Sequence, residues 1–233
     1  LFAVPMGLTY LLIWYRLPQP PIRVRKGTLT VGGAIADYWA MLRRKEIAAA
    51  AVAFFLMFLG VSIYIVYLPT WLERSIGLSA YQIATLFFVG GIANVLAGPQ
   101  AGKLSDRIGR KLIVLLSCVG LFLIMLLTTL IVQDIWMAYP VFFLTMILVA
   151  MRISPFSALL TALVPDENRG SLMSLTVALG QVGFGLGGAL AGPFYASMGY
   201  GSNSVIGAVS VLGMGLIVWF FVPEPAPAPQ ASV

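Results

Sequence analysis

The chain has 233 residues, of which 60% are hydrophobic and 9% are charged, and its formal net charge is +6. A soluble globular domain carries roughly 25% charged residues. This composition excludes an ordinary soluble domain and predicts an all-α, polytopic membrane protein.

Long uncharged runs separate the few charged residues. Crossing the hydrocarbon core takes about 20 mostly apolar residues, so the runs predict six complete spans. They lie near residues 47–69, 80–101, 112–132, 137–163, 171–193 and 204–222. The last two spans share one run, which we expect to turn at Gly199, Gly201, Ser202 and Asn203. A shorter apolar segment, residues 1–15, is expected to be the tail of a helix that starts before Leu1.

The segment before the first complete span divides into two parts. Three prolines, at positions 18, 20 and 21, predict an extended stretch. Apolar residues then recur at helical spacing and run into a basic end; they are Val31, Ile35, Tyr38, Trp39 and Leu42, followed by Arg43, Arg44 and Lys45. This helix either lies in the headgroup plane or forms a solvated linker.

Basic residues fall mainly on one side of the predicted spans. Seven of the 14 Lys and Arg lie within residues 16–45 and four within residues 103–111. Because Lys and Arg bias short loops toward the cytoplasm, the linker and the C-terminal tail are predicted to be cytoplasmic. We expect a multi-pass protein of the plasma membrane, the inner membrane of a bacterium. Topology accounts for the positive charge, so the lipid bilayer is an expected partner and nucleic acid is not.

Catalytic and metal-binding patterns are missing from the sequence. The chain has one cysteine, Cys118, and no histidine, so no disulfide framework, zinc site or haem site is expected. No phosphate-cradling glycine loop precedes a Lys-Ser or Lys-Thr pair. We therefore predict that the protein is not an enzyme, needs no cofactor and does not hydrolyse ATP.

The strongest motif is GKLSDRIGRK, residues 102–111, which is predicted to be a short loop between the second and third complete spans. It resembles the loop signature of the major facilitator superfamily at each specified position. The sequence PDENRG at 165–170, followed by a glycine-rich span, is similar to the loop and eleventh helix of drug and metabolite efflux members.

The resemblance implies a twelve-helix fold in two halves, each with two inverted three-helix repeats. Residues 1–17 would be the tail of helix six, 18–46 a cytoplasmic linker, 47–222 helices seven to twelve and 223–233 a cytoplasmic tail. The sequence LAGP would close helix eight at 96–99 and helix eleven at 190–193. The N-terminal half would then be an absent partner of this chain.

The resemblance also implies a function, which is proton-coupled efflux of small drugs or metabolites by alternating access. The motif would act as a latch between access states, with Asp106 facing a helix N-terminus and charges of the other half. The latch residues are Gly102, Asp106, Arg107, Gly109, Arg110 and Lys111. A sugar or organic-solute facilitator of the same fold, and a non-transporting six-helix protein or half-carrier, remain open.

Four polar or ionisable side chains within the spans are candidates for the path of substrate or ions: Asn94, Tyr64, Arg152 and Gln181. Arg152 either faces the central cavity or has a structural role, in which it pairs with carbonyls freed by Pro155 or snorkels inward. Asn94 and Gln181 either line the path or bond to a neighbouring helix. Tyr64, with Tyr67, Trp71 and Tyr81, forms either a stacking platform or an interfacial aromatic belt.

Glycines in the fifth complete span are spaced for close helix packing. These are Gly183 with Gly187, and Gly188 with Gly192.

Overall fold

The computed structural model describes residues 3–16 and 38–224. Within these ranges the regular secondary structure is helical, with no strand, so the predicted all-α class is confirmed. Helix α1 (Ala3–Arg16) belongs to a separate unit, residues 1–35.

The second unit starts at residue 36 and contains the membrane-spanning helices. They are α2 (Lys45–Val66), α3 (Leu68–Ile76), α4 (Ala80–Ile108), α5 (Arg110–Ile131), α6 (Ile135–Ala162), α7 (Asp166–Met198) and α8 (Tyr200–Phe221). With α2 and α3 counted as one, six helices in the described part of the chain are long and apolar enough to cross a membrane. The six predicted spans are confirmed, and several extend beyond the predicted ends.

Only the end of the predicted linker helix can be described. Residues 38–42 are helical, and Trp39 is exposed. The prolines at 18–21 and the apolar positions Val31 and Ile35 lie outside the described residues.

The first span is longer than predicted and is interrupted at Tyr67, the non-helical residue between α2 and α3. Pro69 has no N–H with which to continue the hydrogen-bond ladder of α2, but it fits the first turn of a new helix. Helix α3 ends at Gly77, whose φ of 78° is a left-handed conformation that glycine adopts without strain. Ser79 and Gln82 then form a capping box that starts α4.

Two predicted loops are much shorter in the structure. Residues 102–108 continue α4, so the only non-helical residue of the motif is Gly109, with φ 107°. The turn predicted over 199–203 is likewise confined to Gly199, with φ 73°, because Gly201, Ser202 and Asn203 lie in α8. In each case one glycine reverses the chain.

The two LAGP sequences do not close their helices as predicted. Pro99 lies inside α4, which continues to Ile108, and Pro193 lies inside α7, which continues to Met198. Proline removes one hydrogen bond and can bend a helix without ending it.

Helix pairing follows the symmetry of two triplets. Helix α2 packs extensively on α7 and α8, helix α6 packs on α4 and α5, and α5 packs on α8. If the triplet α2–α4–α5 is exchanged with α6–α7–α8, the pair α2–α7 becomes α6–α4 and the pair α2–α8 becomes α6–α5, while α5–α8 maps onto itself. Because each triplet has three spans, the second triplet starts on the opposite side of the membrane from the first. The two triplets therefore have opposite orientations, as in inverted repeats.

Glycines let the backbone of α2 approach its neighbours closely. A Cβ atom added to Gly183 would lie 2.5 Å from the Phe55 carbonyl oxygen, and one added to Gly187 would lie 2.7 Å from the Leu59 carbonyl oxygen. On the other side of α2, a Cβ at Gly207 would lie 2.8 Å from the Gly60 carbonyl oxygen. These sites exclude any larger side chain.

The other two predicted packing glycines contact side chains of the α2 region instead. A Cβ at Gly188 would meet the Ser62 hydroxyl at an ordinary 3.5 Å, whereas one at Gly192 would lie 2.7 Å from the Tyr67 hydroxyl. Gly188 therefore leaves room for a methyl group, and Gly192 requires the Tyr67 side chain to move.

Polar groups join the same three helices. The buried Asn203 amide donates to the carbonyl oxygens of Ile63 at 3.3 Å and Ala191 at 3.1 Å. The Ser62 hydroxyl donates to the Phe184 carbonyl at 2.7 Å. Where no water competes, these hydrogen bonds hold α2, α7 and α8 in register.

We predict that Gly183→Ala lowers the free energy of unfolding by about 1–3 kcal/mol, because the new methyl group meets a backbone oxygen that can move only with α2. Thermal unfolding in detergent, followed by circular dichroism, measures the loss. The matched control is Gly185→Ala on the same helix, where nothing lies within 4 Å of the added Cβ. Equal melting temperatures for the two variants would contradict the proposed backbone contact.

Candidate functional site

The motif residues form the junction between α4 and α5. Gly102 faces α6, where an added Cβ would lie 3.1 Å from the Ser154 hydroxyl oxygen. The Ser105 hydroxyl donates to the Gly102 carbonyl at 2.7 Å, inside α4. The last turns of α4 therefore approach α6, while Lys103, Asp106 and Arg107 on these turns stay exposed.

Asp106 pairs within the motif itself. Its carboxylate accepts from the Arg110 guanidinium at 3.1 Å, across the Gly109 connection. The Asp106 side chain is 64% exposed and that of Arg110 33%, so the pair contributes little to stability. In the described residues Asp106 does not cap a helix N-terminus, unlike the role that the resemblance implied.

The residue that caps the N-terminus of α5 is Glu224. Its carboxylate accepts from the backbone N–H of Arg110 at 2.6 Å and of Lys111 at 3.3 Å. The first N–H groups of a helix lack partners within the helix and carry a partial positive charge. The segment after α8 is thereby tied to the motif.

A second contact supports this tie. The Lys111 ammonium lies 5.6 Å from the centre of the Trp219 ring, on the last turn of α8. This distance is within the range of a cation–π interaction. The sequence did not predict the Glu224 cap or the contact of Lys111 with Trp219. The one feature of the sequence that could have indicated the cap is an acidic residue just after the last span.

Arg152 lies deep inside the bundle. Its side chain is 1% exposed, and its guanidinium interacts with the Cys118 thiol of α5. Its Nε and Nη1 atoms have no hydrogen-bond partner in the described part of the protein. Nε and Nη1 do not bond to the carbonyls near Pro155. The role of Arg152 at a central cavity stays a prediction.

The remaining path candidates fall in different environments. Gln181 is exposed on α7, and Asn94 is partly buried on α4. Tyr64 is buried in the core, where its hydroxyl lies 2.9 Å from that of Thr128. The structure does not bring these three side chains together.

The predicted aromatic group mostly packs the interior. Trp71 stacks on Tyr200 with ring centres 4.8 Å apart, and Tyr67 stacks on Tyr195 at 5.2 Å. Because Tyr64 and Trp71 are buried, neither faces lipid as a belt residue would. Tyr81, which is 79% exposed, is the member of the group that fits a belt position.

A cavity of about 520 Å³ lies between α4 and α6. Its walls include Leu96, Phe143, Ile147 and Met151, and its rim includes Lys103 and Arg107 of the motif. Its volume is in the range of small-molecule sites. Among the described residues, no three His, Cys, Asp or Glu side chains are grouped so that they could hold a metal ion.

Six apolar spans in two exchangeable triplets, with a charged motif at one helix junction, define the carrier class of membrane proteins. The sequence profile of the Major Facilitator Superfamily matches residues 50–233. The chain belongs to this family, and the predicted family is confirmed.

Two curated relatives are named for drug resistance. The quinolone resistance protein NorA of Staphylococcus aureus is 33% identical over 79 residues, which cover 34% of this chain and 19% of NorA. The multidrug resistance protein MdtG of Yersinia enterocolitica is 29% identical over 173 residues, which cover 70% of this chain and 40% of MdtG. The matches thus span less than half the length of either relative.

We predict that Glu224→Ala exposes the start of α5. Loss of a carboxylate at a solvated helix N-terminus costs about 0.5–1 kcal/mol, so the amides of Arg110 and Lys111 should exchange hydrogen about two to five times faster. Hydrogen–deuterium exchange with mass spectrometry of the peptide around residue 110 measures this change. Glu73→Ala, at an exposed acid of α3, is the control; the same rate in both variants would contradict the cap.

We also predict that Arg152→Met raises the free energy of unfolding by about 1–3 kcal/mol, because the variant removes a buried charge and keeps apolar volume. The measurement is thermal unfolding of the purified protein, with exposed Arg43 replaced by Met as the control. A lower stability of Arg152→Met would contradict the prediction, because the interactions of the guanidinium, including the one with Cys118, would then outweigh the cost of burying its charge.

Proposed function

We propose that the protein takes part in secondary active efflux of small drugs or metabolites, driven by protons and working by alternating access. Membership of a transporter family and two relatives named for drug resistance support this proposal. Because the matches cover less than half of each relative, the activity proposed is that of the protein encoded by the whole reading frame.

The observation that carries the proposal is the open surface of two equivalent helices. Helices α4 and α7 are the least buried of the six spans, and each is the middle member of its triplet. We propose that a second six-helix half covers these faces and that the substrate path runs between the halves. Asn94 on α4 and Gln181 on α7 would supply polar groups there.

The proposed energy source is a proton gradient. No acid lies at the middle of a span within residues 38–224; the nearest acids are at span ends, as at Glu46 and Asp106. The proton-carrying carboxylate would therefore come from another part of the reading frame. Protons and the lipid bilayer complete the proposed partners, in the inner membrane of a bacterium with the linker and C-terminus cytoplasmic.

The motif is proposed to act as a latch that stabilises one access state. Its charges can exchange partners at low cost because the Asp106–Arg110 pair is solvated. The Glu224 cap connects the end of α8 to the same junction. A movement of α4 relative to another half would therefore also displace the start of α5 and the C-terminal segment.

The test is transport by the protein of the complete reading frame in proteoliposomes of bacterial lipid. A quinolone such as norfloxacin is followed by fluorescence while a pH gradient is imposed. We expect transport that stops when an ionophore removes the gradient. Transport that continues unchanged would instead identify a facilitator, and no transport of any solute would identify a non-transporting protein.

We predict that Asp106→Asn slows gradient-driven transport by about fivefold or more, the lower end of a typical coupling free energy, while leaving the melting temperature nearly unchanged. The matched control is Asp166→Asn, which removes another exposed carboxylate paired with arginine, 2.9 Å from Arg169. If both variants transport at the wild-type rate, the latch role is wrong.

A further inference from the structure

The cavity between α4 and α6 has an apolar wall and a cationic end. On α4 the lining residues recur every three or four positions, from Ala93 to Arg107, so they occupy one face of the helix. At 1.5 Å per residue this stripe is about 20 Å long. On α6 the lining residues Phe143, Ile147 and Met151 are also four positions apart.

Small side chains create the space. Ala93, Ala97 and Ala101 lie on the lining stripe of α4, each with a side chain of one methyl group. The wall that faces them is formed by the aromatic and aliphatic side chains of α6, so this part of the cavity favours an apolar molecule. The volume of about 520 Å³ suits a small molecule and is too small for another helix.

Two cations lie at the end of the cavity. Lys103 and Arg107 are one helical turn apart on the lining stripe and are exposed. Neither has an ion-pair partner within the described ranges, because the nearby Asp106 carboxylate is paired with Arg110. In the part of the chain that the structure describes, the residues lining the cavity include no acid.

We propose that this cavity binds an amphipathic organic anion, whose apolar body lies along Leu96, Phe143, Ile147 and Met151 and whose carboxylate, sulfonate or phosphate lies between Lys103 and Arg107. Charge complementarity selects the anion, and the apolar walls select against small hydrophilic anions. The inference rests on the proposed function, because it names the chemical class of a transported molecule.

A set of three fluorescent probes tests the charge preference. Pyrenebutanoate, pyrenebutanol and pyrenebutylamine share an apolar body and differ in charge. Their binding is titrated to the full chain in phosphatidylcholine nanodiscs, with empty discs as the baseline. We expect pyrenebutanoate to bind about tenfold more tightly than the alcohol, as two partly solvated charge contacts would give. Equal affinities, or a preference for the amine, would overturn the proposal.

Variants locate the site. Lys103→Gln with Arg107→Gln is expected to abolish the tenfold preference, whereas the control pair Arg43→Gln with Arg44→Gln, also exposed, keeps it. Ala97→Trp fills the cavity and is expected to weaken binding of all three probes. If the preference survives loss of Lys103 and Arg107, or the control pair abolishes it, the anion binds elsewhere.

A titration with an anionic lipid shows whether the bound anion is a soluble molecule or a lipid headgroup. Phosphatidylglycerol is added to the nanodiscs in increasing proportion. Displacement of pyrenebutanoate only at high lipid fractions supports a soluble ligand, and displacement at a few lipids per protein would show a lipid site instead. The binding assay does not depend on transport. If the protein transports a quinolone but does not bind pyrenebutanoate at this site, only this inference is wrong. If it binds pyrenebutanoate at this site but transports no solute, only the proposed function is wrong.

Discussion

The contact of the α2 backbone with α7 and α8 is the constraint on which the bundle depends. In a bilayer the hydrophobic effect does not draw helices together, so close packing and hydrogen bonds must do so. Gly60 meets Gly207 on one side of α2, and Gly183 and Gly187 meet its carbonyls on the other. Since α2 belongs to the first triplet and its partners to the second, this contact joins the two repeats.

This packing leaves the functional surfaces on the other helices. Helices α4 and α7 are middle members of the two triplets, and their remaining faces are open. The groove between α4 and α6 ends at Lys103 and Arg107 of the motif. Two residues of the motif thus also form the charged end of a cavity, which connects the proposed ligand site with the proposed latch.

The motif shows which features of the structure a short stretch of sequence can predict and which it cannot. Its sequence identified the family, and the connection that it predicted between two spans is present, although it is confined to Gly109. The cap on α5 nevertheless comes from Glu224, 114 positions away from Arg110. Such a contact is set by where α8 ends relative to α5, and no spacing within the motif encodes that position.

The sequence by itself determined the helical class, the six spans and the family, because the hydrocarbon thickness fixes how long an apolar run must be. It did not determine which side chains face inward. A helix that is apolar all round presents no polar face from which its orientation can be read. Only the tertiary structure therefore buried Arg152 and Tyr64 while leaving Gln181 exposed, because packing against neighbouring helices, not sequence periodicity, sets the rotation of each span.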